Sequence, residues 1–156
     1  MTATDIIILH FEEIRRRSVK LWSGLTPEQY SWQPDPHAMT AIEMIRHVLE
    51  GEHLFHKIID NRGNLGSYVS PWQGRPYLNL HDELAFAKPY RERFLNTVKA
   101  FGSEDLAKIE IVRSEKGQRR QLGDYLLRIG YHESVHTGQM LSYFRTLGIE
   151  RPVIWD

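Results

Sequence analysis

Apolar residues recur at helical spacing in four stretches of the chain. In the first, Ile7, Phe11, Ile14, Leu21 and Leu25 share one face with Ser18 among them, which predicts a helix from Thr4 to Gly24. The segment GLTPEQYSWQPDPH that follows carries three prolines and reads as a loop. A second helix opens where Thr40 can cap and Glu43, three residues on, can close a capping box, and its pattern reaches Asp60. The third is expected from Leu80 to Phe101, with Pro89 either kinking it or marking a late start. The fourth runs from Gly123 to Leu147 and should stop at Gly148. Between the last two, IEIVRSEKGQRRQL alternates around Gly117 and predicts a short hairpin.

The second and third helices are joined by NRGNLGSYVSPWQGRPYLN, residues 61–79, which is long for a compact domain. A connection of that length can run beside a helix of about 20 residues, roughly 30 Å long. The expected architecture is therefore an all-α, four-helix bundle with a long crossover between helices 2 and 3, in one domain spanning residues 1–156. Within the crossover, Tyr68, Trp72 and Arg75 suit either a lid over a site or an anchor with buried aromatics.

Composition narrows the chemistry. Twenty basic and twenty acidic residues give a net charge of zero, so a nucleic-acid partner is not expected. The one basic run, Arg15-Arg16-Arg17, fits a solvated helix face. The apolar run Ile6–Leu9 is too short for a signal-peptide core or a membrane span, which points to a cytoplasmic protein without membrane contact. The chain has no cysteine, so disulfides, thiolate ligands and a cysteine nucleophile are excluded, and any thiol must come from a substrate.

Eight histidines remain, and helical projection sorts them. At about 100° per residue, His132 and His136 lie roughly 40° apart in the arc of Tyr125, Ile129, Met140, Tyr143 and Leu147, so both are expected to face the core. Two imidazoles buried together need partners, and a metal ion supplies one for each. His47 projects near Met44, Leu54 and Ile58, with Gly51 leaving space beside it, and is the expected third ligand. His53 and His56 project to other sides of that helix, His37 and His81 fall at surface positions, and His10 flanks the stripe of the first helix.

His132-Glu133-Ser134-Val135-His136 also spells the H-E-x-x-H pattern of zinc proteases. No histidine follows His136, and Gly138 sits one position too early for the extended form of that pattern. A di-iron bundle is the closer rival, through Glu50-x-x-His53 and Glu133-x-x-His136, but Glu50 and His53 project away from His47, and the other helices offer no matching carboxylates. A three-histidine site is favoured. Around it, Gln139, Tyr143 and Glu133 are the candidate catalytic or supporting residues.

The order LTPEQYSWQPDP, then Thr40-Ala41-Ile42-Glu43-Met44-Ile45-Arg46-His47, then His132-x-x-x-His136 with Gly138-Gln139, then RTLGIERP, resembles the DinB-like and YfiT-like superfamily over nearly the whole chain. The resemblance implies a homodimeric four-helix bundle with a divalent metal ion, zinc or nickel, held by His47, His132 and His136. It also implies kinship with bacillithiol-dependent transferases. The expected function is a metal-dependent transferase that adds a low-molecular-weight thiol to electrophilic small-molecule substrates through a metal-bound thiolate. A hydrolase using metal-bound water, and a non-catalytic small-molecule-binding bundle linked to stress, are the alternatives.

Overall fold

A computed structural model describes residues 1–156. Four long helices form the body: α1 (Ala3–Trp22), α2 (Ala41–Asp60), α3 (Leu80–Lys99) and, numbered after the short elements that precede it, α5 (Leu122–Leu147). Their ends follow local chemistry. Thr40 Oγ1 accepts the Glu43 amide while the Glu43 carboxylate accepts the Thr40 amide, so α2 starts on the expected capping box. Thr2 and Asp5 do the same for α1, and Asn79 caps α3. Gly148, in the left-handed region, ends α5.

Helix α3 starts at Leu80, as expected, and continues through Pro89, which therefore marks no late start. The bond lost there would have gone to the carbonyl of Ala85, and both residues are exposed, so that carbonyl lies on the solvent side of the helix. A six-residue helix, α4 (Ser103–Lys108), was not foreseen, being too short to display a period. The predicted hairpin is present as β1 (Glu110–Arg113) and β2 (Gln118–Gln121), paired antiparallel with Ile111 opposite Arg120 and with Gly117 left-handed in the turn. Gly63, at the start of the crossover, bridges to Val112 of β1, where a Cβ would lie 2.0 Å from the Val112 carbonyl oxygen. No helix is long and apolar enough to cross a membrane.

Helix α1 packs on α5 and α3, and α2 packs on α3 and α5, so α1 and α2 are consecutive in the chain yet diagonal in the bundle. The core falls into two apolar clusters. One gathers Trp22, Met44, Ile45, Leu49, Trp72, Met140 and Phe144 at one end, and the other gathers Phe11, Ile58, Phe94, Leu122, Tyr125 and Leu126. In each long helix a charged residue separates the two: Arg15, Glu52, Arg91 and Glu133.

These four form one ionic layer, with Arg15, Glu52 and Glu133 buried and Arg91 half-buried at its edge. Arg15 donates from Nε to Glu133 Oε1 at 2.8 Å and from a terminal nitrogen to Glu133 Oε2 at 3.0 Å and to Glu52 at 3.3 Å. Arg91 bonds Glu52 and the carbonyl of Phe11. Burial alone would raise the pKa of Glu133, but the two bonds and the charge of Arg15 hold it below the usual carboxylate range. Glu52 is raised, because burial there outweighs Arg15 and Arg91. Arg15 therefore belongs to the interior and not to the solvated face expected for the basic run. Its neighbours Arg16 and Arg17 do face solvent, where they pair with Glu13.

The crossover is an anchor. Trp72 is buried against Phe86 and Tyr90, and Arg75 lies over the Phe86 ring at 3.7 Å. Arg46 of α2 bonds Glu83 and the carbonyls of Arg75 and Pro76, so a buried guanidinium fixes the loop to α2 and α3. Replacing Arg15 by Met leaves two buried carboxylates undercompensated and should cost about 3–5 kcal/mol in urea unfolding, whereas Arg16→Met should leave the midpoint almost unchanged. Equal, small effects of the two would contradict the ionic layer as described.

Candidate metal centre

Helix α2 contributes His47, and α5 contributes His132 and His136, four residues apart on one face. The rings converge. His132 Nε2 lies 3.0 Å from His47 Nε2 and 3.1 Å from His136 Nε2, and one nitrogen from each ring falls within 4.8 Å of the others. The closeness depends on Gly51, where a Cβ would stand 3.1 Å from His132 Cε1. On the other side the Phe55 ring meets His132 edge-on at 5.4 Å between centroids.

The three nitrogens cannot satisfy one another with protons. Gln139 Oε1 accepts from His136 Nδ1 at 2.6 Å, which places that ring's proton on Nδ1 and leaves a lone pair on Nε2. If His132 Nε2 carries a proton, it can point well at only one of His136 and His47; if His47 donates instead, the His132 and His136 lone pairs face each other. A cation at the common point removes the conflict, since nitrogens bound to one ion at about 2.0–2.1 Å lie roughly 3.0–3.4 Å apart. The donor set thus fits a divalent metal ion, and this group could hold one.

Burial, then the neighbouring His136 and His47, pushes His132 down to about 4. His47 is lowered for similar reasons, burial first and His136 next, with Glu50 opposing. Both rings therefore stay neutral near pH 7 and keep their lone pairs free.

The centre lies at the rim of the bundle, which corrects the expectation that the pair on α5 faces the core. His132 and His136 are half-buried and His47 is exposed. Projection gives the direction of a side chain around a helix but not its depth, and the α2–α5 seam opens to solvent here.

The three supporting candidates are placed differently. Gln139 touches His136 as described. Both oxygens of Glu133 are taken by Arg15, so its carboxylate acts in the ionic layer. The Tyr143 hydroxyl donates to the Met39 carbonyl at 2.8 Å, and its ring packs on Trp32, so it fastens the loop before α2. Among the other histidines, His53 and His56 are buried, the former among Tyr68, Trp72 and Tyr90, the latter bonded to Thr97. His10, His37 and His81 are exposed. The di-iron pattern is not assembled, because Glu133 is committed to Arg15 and His53 lies in the aromatic cluster.

Two recesses open beside His47. Besides His47 they share Glu50, which its helical projection set apart from the site and whose carboxylate accepts from the Ser70 hydroxyl of the crossover. A groove of about 360 Å³ along Ile14, Leu141, Ile154 and Trp155 contains none of the three histidines and stands apart from this chemistry.

The family model of the DinB superfamily matches residues 10–140, a span that reaches into all four long helices and includes the three histidines. The chain belongs to the DinB superfamily. It is 29% identical over 149 residues to YjoA, an uncharacterized protein of Bacillus subtilis strain 168, with 95% of this chain and 93% of that protein covered. The crystal structure of YjoA, described as DinB-like, matches with a TM-score of 0.70 at 26% identity over 95% of this chain and 96% of that one. A DinB-like protein from Bacillus cereus matches with a TM-score of 0.65 over 96% and 95% of the two chains, a likeness of fold at 18% identity.

Two outcomes follow for this DinB superfamily member. Replacing Gln139 by Leu should weaken metal binding by about 10–100-fold in chelator competition, since the partner that orients a ligating imidazole is lost, with the melting temperature of the metal-free protein unchanged. Unchanged affinity would remove Gln139 from the centre. Separately, His53 and His132 have their folded pKa values lowered from 6.5 to about 4, so the unfolded chain takes up protons that the folded one refuses. Stability of the metal-free protein should be full above pH 6.5 and decline as pH falls from there towards about 4. Urea unfolding across that window measures it, and a flat profile contradicts it.

Proposed function

We propose that the protein is a divalent-metal-dependent enzyme that transfers a low-molecular-weight thiol to electrophilic small molecules, with zinc or nickel held by His47, His132 and His136. The observation that carries this reading is the convergence of three imidazole nitrogens at an open rim, with His47 exposed and two recesses against it. Three protein ligands leave a coordination position for a reactant, as catalytic sites do. A bound divalent ion supplies Lewis acidity, favouring the deprotonated form of a coordinated thiol or water.

The chain's own residues prepare that chemistry. Gln139 fixes the tautomer of His136, burial keeps His132 neutral, and the Arg46–Glu83 pair holds the crossover as a wall beside His47. The protein has no cysteine, so an incoming thiol meets no competing thiolate. In the transfer, a sulfur lone pair forms the S–C bond as the bond from carbon to its leaving group breaks. A halide departs with the electron pair of the broken bond, while an epoxide oxygen keeps that pair and is protonated from water; the thiol proton passes to water at the rim. Hydrolysis is the second reading, favoured by the solvent access of His47.

Thiol consumption with a panel of alkyl halides and epoxides, run beside ester and amide hydrolysis, separates the two. The transferase reading expects metal-dependent thiol loss. Hydrolysis without thiol loss establishes the second reading instead. His47→Ala should abolish metal binding and turnover while the exposed position spares the melting temperature. Collapse of the fold on that substitution would mark the ion as structural and contradict both.

A further inference from the structure

The two recesses at His47 differ in size and in lining. The wider, about 380 Å³, is walled by His37, Met39, Glu43, Arg46 and Tyr77. The narrower, about 130 Å³, is walled by Gly51, Leu54 and Tyr68. His47 and Glu50 belong to both, so the imidazole of His47 is a common boundary where the contents of the two can meet. Glu50 stands one helical turn beyond His47 and is held by the Ser70 hydroxyl, which makes it a fixed partition.

The walls are pre-shaped. On the wide side, Arg46 is pinned by Glu83 and two crossover carbonyls, with its guanidinium 3.8 Å from the Tyr77 ring centre, and Glu43 is tied into the capping box of α2. The groups it presents are imidazole, carboxylate and phenol, which suit a polar body with several hydrogen-bonding groups. On the narrow side, Gly51 brings the recess up to His132, and Leu54 and the Tyr68 ring close it, leaving room for a short uncharged group.

We propose that these are two subsites, one for each reactant: the wide recess takes the polar body of the thiol compound, and the narrow one takes a small uncharged electrophile such as a short alkyl halide. The assignment rests on the transferase reading above. It adds that Leu54 and Tyr68 set the size limit for the electrophile, while His37, Glu43 and Tyr77 select the thiol carrier. The sulfur lone pair closes the S–C bond beside His47, halide leaves with the pair of the C–X bond, and the thiol proton goes to water.

Chemical-shift mapping on the zinc-loaded protein tests the division without turnover, with reduced glutathione and 1-chloropropane as separate probes. Glutathione should shift resonances of His37 and Tyr77, and 1-chloropropane those of Leu54 and Tyr68. Both probes shifting the same set, or neither shifting either set, overturns the proposal. Where thiol transfer is observed, Leu54→Trp should raise KM for the halide by about tenfold or more, with KM for the thiol unchanged, and His37→Ala should do the reverse. Parallel changes in both constants overturn the division even if transfer itself stands. Absence of thiol transfer overturns the reaction, and mapping then still decides whether two subsites exist.

Discussion

Arg15 reaches from α1 across the middle of the bundle to carboxylates on α2 and α5, and the rest of the structure is arranged around that reach. An arginine can be kept there only if its charge is balanced and its donors are used, and Glu133 and Glu52 meet that demand, while Arg91 pairs with Glu52 from the other side. The layer divides the core into two apolar clusters and fixes the rotation of α2 and α5 about their axes, because a carboxylate bonded on one side of a helix sets what the other sides present. Glu133 is next to His132 in the chain, and Glu52 is next to Gly51. The residues of the ionic layer are thus chain neighbours of those that bring the histidine rings together.

The centre is built at the edge of this frame. Gly51 permits the close approach of His132, Phe55 supports that ring from the side, and Gln139 orients His136. None of these side chains reaches the ionic layer, so fold stability and site chemistry are carried by neighbouring but distinct residues. The crossover contributes twice: its aromatic residues seal the bundle through Trp72, and Tyr68 and Tyr77 line the recesses beside His47 while Ser70 holds Glu50.

Most of the body was legible because helices announce themselves through period and caps. Thr40 with Glu43, Gly148, and the alternation around Gly117 each carry a local physical signal that tertiary contacts left in place. The convergence of the three histidines was legible for the same reason, since a four-residue spacing puts two rings on one face whatever the partner helix does. Depth was not legible: projection gave His47 an inward direction, yet the seam at that level is open. The ionic layer was missed because Arg15 was grouped with its sequence neighbours Arg16 and Arg17. Its four-residue spacing from Phe11, on the apolar stripe, was the available signal. Glu52 and Arg91 offered none, as a charged residue on a helix is ordinarily solvated.

The central claim is that three imidazoles grip one divalent ion. X-ray absorption on purified protein loaded with zinc or nickel, with metal content measured on the same sample, addresses it directly. The account predicts one ion per chain with three imidazole nitrogens at about 2.0–2.1 Å and the remaining positions filled by lighter exchangeable ligands. No bound ion, or an ion whose shell lacks imidazole scattering, would contradict it.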